Sequence, residues 1–166
     1  MDISRRRLFT NALSRTGMAS GADRQPLPWE RREIAFTDQC TRCGQCASRC
    51  ETRIIVNGDG GFPSVDFKKG ECTFCYACAD ACPEGLFNDR TQTPWVQRVE
   101  FTERCLANDG VECRSCGDSC ETRALRFRLS AGSVAIPVLD EKACSGCGAC
   151  VAPCPVNAIK MEKCNG

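Results

Sequence analysis

The chain has no histidine, few aromatic residues and no long apolar run, and each shortage removes a class of chemistry. Without histidine, Cys2His2 zinc fingers, haem attachment, Rieske iron centres and Ser/His/Asp hydrolytic sites are all excluded. Aromatics make up 7% of the chain, with eight Phe, two Trp and one Tyr, too few for a large apolar core. No run approaches the roughly 18 apolar residues of a membrane span, so none is expected. No Walker-type or dinucleotide-binding glycine loop occurs, and Gly58-Asp59-Gly60-Gly61 reads as a hairpin turn. Charge is nearly balanced, 22 Lys and Arg against 21 Asp and Glu, which does not suit a nucleic-acid-binding body. Nothing recommends the chain as a self-contained enzyme.

Cysteine is what the chain has in excess: 17 of 166 residues, about one in ten. At that level metal or disulfide carries part of the folding energy. Sixteen of them form four groups: Cys40, Cys43, Cys46, Cys50; Cys72, Cys75, Cys78, Cys82; Cys105, Cys113, Cys116, Cys120; and Cys144, Cys147, Cys150, Cys154. The first, second and fourth share the spacing Cys-x2-Cys-x2-Cys-x3-Cys, and the second and fourth end in Cys-Pro. Three sulfurs at three-residue intervals can converge from one tight coil on one face of an iron–sulfur cube, while the fourth starts a helix pointing elsewhere. Four-cysteine zinc and disulfides are the alternatives. Zinc sites more often use two Cys-x2-Cys pairs far apart, and bridging cysteines three residues apart around a coil is awkward. Visible absorption with a shoulder near the blue distinguishes iron–sulfur from both.

An internal repeat organises the chain. Cys50-Glu51-Thr52-Arg53 recurs as Cys120-Glu121-Thr122-Arg123, and Cys82-Pro83 as Cys154-Pro155. Between the paired motifs, Ile54-Ile55-Val56, a Gly-rich turn and Phe62 to Phe67 read as a β-hairpin, as do Ala124 to Leu129, Ser130 to Ser133 and Val134 to Leu139. The expected fold is α+β: two tandem modules of short helices and small hairpins around inorganic cores. Residues 1–33 form a basic, flexible arm, 34–90 the first module and 91–166 the second.

These motifs resemble bacterial two-cluster ferredoxins over residues 36–90 and 103–162. The resemblance implies that the fourth cysteine of each motif serves the partner cluster. Cys40, Cys43 and Cys46 would then share a 4Fe-4S cluster with Cys82, and Cys72, Cys75 and Cys78 one with Cys50. Cys144, Cys147 and Cys150 would share one with Cys120. Cys105, Cys113, Cys116 and Cys154 would form the last. Seven residues separate Cys105 from Cys113 where the other motifs have two, so Cys105 must loop back through Asn108-Asp109-Gly110. Three clusters are expected on regular motifs and a fourth on this uneven one. The other reading of that site is a three-iron or empty one with Cys105 a free thiol. Iron near sixteen atoms per chain marks four loaded sites, and near twelve marks three. Cys164 falls outside every motif and is expected to be a bystander thiol.

Small or hydroxylated residues surround the coils: Thr41, Gly44 and Gln45 in the first, Thr73 in the second, Ser145, Gly146 and Gly148 in the fourth. They allow amide N–H groups close to sulfur, which tunes potential. Phe74, Tyr76, Phe87 and Phe127 shield the clusters from water or simply pack. At the N-terminus Arg5, Arg6, Arg7, Arg15, Arg24, Arg31 and Arg32 outnumber Asp2, Asp23 and Glu30, giving either a solvated tail or a grip for an acidic partner surface, anionic lipid or, less well without interleaved aromatics, nucleic acid. Ser4-Arg5-Arg6-Arg7-Leu8-Phe9 is similar to a twin-arginine export signal. The following stretch, broken by Thr10, Asn11, Ser14, Arg15 and Thr16, lacks the apolar core of one, so export is not expected.

The arginine-rich start, Pro26-Leu27-Pro28-Trp29, Cys40-Thr41-Arg42-Cys43 and the block Glu71 to Ala79 together resemble the NapF family, as do Val111 to Cys116 and Ala143 to Cys150. The resemblance spans nearly the whole chain. It implies a cytoplasmic ferredoxin-type accessory that meets the catalytic subunit of periplasmic nitrate reductase before export and supports its maturation or electron supply. The competing classes are an electron-wire subunit of another stable multi-subunit oxidoreductase and a chaperone-like binding surface held together by clusters.

Overall fold

The computed structural model describes residues 24–129 and 131–163. The residues before Arg24, Ser130 of the second hairpin turn and Cys164 lie outside the described residues, and with them the export-like motif.

Every described α-helix is a single short turn: α1 Phe36–Gln39, α2 Gln45–Arg49, α3 Ala77–Asp80 and α4 Ser115–Asp118. Isolated helices need about 12–15 residues to hold themselves, so these four depend on what they are anchored to. None of the described helices is long and apolar enough to cross a membrane. The strands are equally short. β1 Ile55–Asn57 pairs antiparallel with β2 Pro63–Val65, in register Ile55↔Val65, around a turn that uses Gly60 and Gly61 at φ of 65° and 76°. Alternation puts Ile55 and Val65 into the core and turns Val56 and Ser64 the other way. β3 Gln97–Phe101 pairs with β6 Ile159–Lys163, and β4 Leu125–Arg128 with β5 Ile136–Leu139. Both hairpins expected from the apolar runs are present.

The β3–β6 ladder is the element not foreseen. It closes the second half, with Phe101 opposite Ile159, five residues after Cys154. The first half closes in the same place by one bridge, Glu30 opposite Phe87, five residues after Cys82. That bridge falls within the stretch expected as an arm, of which residues 1–23 lie outside the described residues. Residues 24–31 pack on the first half: Leu27 is 1% exposed and Trp29 is buried against Tyr76 and Phe74. Trp29 donates its indole N–H to the Gln92 carbonyl at 2.9 Å and accepts from the Asn88 N–H at 2.7 Å. Arg24, counted above among the charges of the arm, pairs with Glu30 and stacks over Phe36 at 4.4 Å.

The buried apolar residues form two groups that touch. Leu27, Ile54, Ile55, Val65, Phe67, Cys78 and Trp95 make the first, and Val99, Leu125, Cys150 and Ile159 the second, with Val151 and Met161 packed against both. Trp95 lies just before β3 in sequence yet fills the first core, so the halves share apolar contact.

Candidate metal centres

The backbone of the cysteine coils repeats a pattern that the sequence only hints at. Two residues after the first cysteine φ is positive, and again just after the second: Arg42 and Gly44, Phe74 and Tyr76, Gly146 and Gly148. Interspersed left-handed residues turn successive amides towards one side of the chain, the arrangement that suits bound anions and sulfide. Only three of these six are glycine, so the conformation is imposed by the surroundings at Arg42, Phe74 and Tyr76. Three residues after each fourth cysteine comes another positive φ, at Arg53, Gly85, Arg123 and Asn157, which turns the chain back after its ligand.

The coils bring thiols together across motifs. Cys40, Cys43, Cys46 and Cys82 line one small pocket, walled by Phe36, Pro63, Leu86 and Phe87. Cys72, Cys75, Cys78 and Cys50 line a second, with Trp29, Ile54, Ile55 and Tyr76. Cys105, Cys113, Cys116 and Cys154 line a third beside Phe101, Leu106, Pro137 and Ile159. Cys120, Cys144 and Cys150 meet in the second core, and the Cys144 thiol senses both Cys147 and Cys120. All sixteen are free thiols. Among the described residues no group of three or more Cys, Asp or Glu is drawn tightly enough to hold a single metal ion. A zinc site needs sulfurs about 2.3 Å from one centre. Here the sulfurs stand around a space, and that donor set fits a polynuclear iron–sulfur group.

Burial dominates the electrostatics of these thiols. Burial, reinforced by neighbouring thiols, pushes Cys78 and Cys150 up to about 12, and burial pushes Cys46, Cys72 and Cys116 to about 11. Hydrogen bonds oppose this: the Phe74 amide acts on Cys72 and the Gly146 amide on Cys144, the same step of two coils. Burial raises Cys120 as well, but the Leu125 amide, the Thr122 hydroxyl and the Ala124 and Arg123 amides together bring it below the ordinary thiol value. Cys154 accepts from the Ala158 N–H at 3.2 Å. Such bonds favour thiolate and raise the potential of a bound cluster.

The uneven third motif is wound rather than looped. The Asn108 N–H reaches the Cys105 carbonyl at 2.9 Å, the Val111 N–H reaches Leu106 at 3.0 Å, and Gly110 at φ 76° turns the chain back. Cys105 thereby joins Cys113 and Cys116. This coil lacks the left-handed pair, since Arg114 has φ −129° and α4 begins at Ser115. Phe74, Tyr76, Phe87 and Phe127 divide: Tyr76 and Phe87 line cavities, Phe74 stacks on Trp29 and Trp95, and Phe127 covers Gly117.

Sequence reading missed the seam between the halves. The Cys72 N–H donates to the Cys147 carbonyl at 2.9 Å, and buried Gln97, which accepts from the Gln25 side-chain amide of the first half, donates to the Gly146 carbonyl at 3.0 Å. A side chain on Gly148 would meet the Phe67 ring at 2.0 Å, and one on Gly146 would meet Trp95 Nε1 at 3.0 Å. The glycines of Cys-Ser-Gly-Cys-Gly were the available signal.

Comparison with known proteins agrees with this donor set. The model of a 4Fe-4S dicluster domain matches residues 39–86, and that of a 4Fe-4S binding domain matches residues 137–160. Over 162 residues the chain is 46% identical to the ferredoxin-type protein NapF of Escherichia coli K12, covering 98% of this chain and 96% of that one. The chain belongs to the NapF family of ferredoxin-type proteins. The NapF protein of Haemophilus influenzae is 51% identical over 81% of this chain and 77% of its own. The ferredoxin-type protein NapG of Escherichia coli K12 is 29% identical over 88% and 73%. Like its NapF relatives, the chain is thus a ferredoxin-type iron–sulfur protein suited to electron transfer. Cys105, Cys113, Cys116 and Cys120 fall outside both matched domain spans.

Proposed function

We propose that the chain holds four 4Fe-4S clusters in two tandem α+β modules and serves as a cytoplasmic accessory of periplasmic nitrate reductase. It meets the catalytic subunit of that enzyme before export and supports its maturation or electron supply. The observation that carries the reading is that three of the quartets gather three thiols of one motif with one of its partner, and that in the fourth Cys144 lies beside both Cys147 and Cys120. Each site is assigned on that basis: Cys40, Cys43, Cys46 and Cys82 to the first cluster, and Cys72, Cys75, Cys78 and Cys50 to the second. Cys105, Cys113, Cys116 and Cys154 hold the third, and Cys144, Cys147, Cys150 and Cys120 the fourth. The first module runs to residue 90 and takes in residues 24–33, and the second begins at 91. The partner rests on the NapF relatives and the motifs shared with them.

A tagged chain purified anaerobically tests both parts. About sixteen iron atoms per chain are expected, together with co-purification of the precursor catalytic subunit and its absence from the mature exported enzyme. Stoichiometric recovery with a mature reductase favours the electron-wire alternative. Serine at Cys75 or Cys147 that removes a cluster signal yet leaves partner maturation intact reassigns the essential role to binding.

A further inference from the structure

Two-cluster modules in tandem can work as separate carriers or as one. Three contacts decide how the four sites are joined. Cys46 on α2 and Cys78 on α3, two helices in contact, pack in one apolar group and join the first site to the second. Cys116 and Cys150 pack in the other and join the third to the fourth. Between the halves, the second and fourth coils meet directly through the Cys72 N–H and the Cys147 carbonyl. Gly148 lets the Phe67 ring lie on the fourth coil, and Trp95, stacked on Phe67 and Phe74, closes the seam against Gly146.

We propose that the four sites form a single electron path in the order first, second, fourth, third, crossing between the halves where the Cys72 amide meets the Cys147 carbonyl. The proposal rests on the reading that the quartets hold clusters. One electron enters at one end from a one-electron donor. At each step one site is oxidised and its neighbour reduced by that electron, and it leaves at the other end to a one-electron acceptor. No bond or proton changes hands. The first and third sites become the terminals, on opposite sides of the seam in the path, so donor and acceptor engage different halves.

The test is low-temperature electron paramagnetic resonance of the dithionite-reduced full chain with both terminals disabled, Cys43→Ser with Cys113→Ser, alongside iron analysis. The second and fourth sites are expected to give mutually split, broadened signals, because they remain neighbours. Two sharp, unsplit signals overturn the path. Single Cys43→Ser and Cys113→Ser variants give the same test if the double variant does not load: an isolated spin then appears from the second or fourth site only if the halves are independent. Iron-loaded protein with isolated spins refutes the path alone, whereas an iron-free, colourless wild-type chain refutes the cluster reading with it.

Discussion

The two halves repeat one plan but are held by different means. In the first half both coils carry the left-handed pair, and closure is a single bridge between Glu30 and Phe87. An N-terminal segment lies along its hairpin: the Gln25 N–H reaches Ser64 Oγ at 3.1 Å and the Val65 N–H reaches the Gln25 carbonyl at 3.1 Å. In the second half closure is a five-residue ladder, the third coil begins a helix without that pair, and the outer face of β4–β5 is open. Leu129 is 73% exposed, and Ile136 and Val138 are exposed beside Arg126 and Arg128. The first half gains from aromatic and N-terminal packing what the second gains from backbone pairing. Perturbing equivalent places in the two halves should therefore give unequal effects.

The largest inequality is expected between Cys78→Ser and Cys105→Ser. Cys78 lies on α3 and is buried in the first core, so its loss removes a ligand and a core contact together. Loss of about four iron atoms and a sharply lowered unfolding midpoint of the anaerobic protein are expected. Cys105 sits half-exposed on the wound insert, and its replacement should cost at most one cluster, with the rest of the spectrum and the unfolding midpoint little changed. An equal fall in both would break the comparison.

Next come two glycines at the same step of different coils. An alanine side chain at Gly148 would collide with Phe67, whereas at Gly44 it meets nothing within 4 Å, and both positions have positive φ. Gly148→Ala pays the left-handed penalty and the overlap, about 3 kcal/mol together, and Gly44→Ala only about 1 kcal/mol. Denaturant midpoints of the loaded protein measure both. Similar values would mean that the seam yields freely.

A pH series sharpens the electrostatic side of the comparison. In the metal-free fold Cys72 and Cys116, raised to about 11, and Cys78 and Cys150, raised to about 12, hold their protons at neutral pH. Metal binds thiolate, so loading releases those protons, and the unloaded chain binds more protons than the loaded one everywhere below the thiol values. Loading therefore strengthens as pH rises towards 11 and weakens as it falls. Reconstitution with ferrous iron and sulfide, followed by absorbance, should be more complete at pH 9 than at pH 7, and cluster loss should accelerate on acidification. Cys120, whose value is lowered, is the ligand expected to engage earliest.

The legibility of the molecule followed the range over which its signals act. Ligand spacing is local, and so is the alternation of Ile55 and Val65 against Val56 and Ser64; both were visible in sequence. The β3–β6 ladder joins residues that are far apart, and its buried first member is Gln97, a polar residue whose place is explained by the Gly146 carbonyl and the Gln25 side-chain amide it meets. Leu27 and Trp29 were read as part of an arm because prolines and arginines surround them. Trp29 is buried against Phe74 and Tyr76, two positions inside the second coil, and Leu27 in the first apolar core. The left-handed φ of Arg42, Phe74 and Tyr76 carries no signature in residue type, because packing rather than propensity sets it.

The smallest effects should come from the outer faces of the hairpins, where the comparison is cleanest. Ser64 and Val138 both lie on the second strand of a hairpin, pointing away from its core. Ser64 accepts the Gln25 N–H and donates to the Gln25 carbonyl at 3.4 Å, so Ser64→Lys removes the partner of the Gln25 N–H and leaves the Val65 N–H alone to hold the covering segment here. A cost of about 1–2 kcal/mol is expected, with increased amide exchange around Leu27 and Trp29. Val138 is exposed opposite Arg126, with no segment over it among the described residues, and Val138→Lys should change stability by less than about 0.5 kcal/mol. If the lysine at 138 costs as much as the one at 64, the open face of the second hairpin is covered in solution, and the difference between the halves is one of partner rather than of fold.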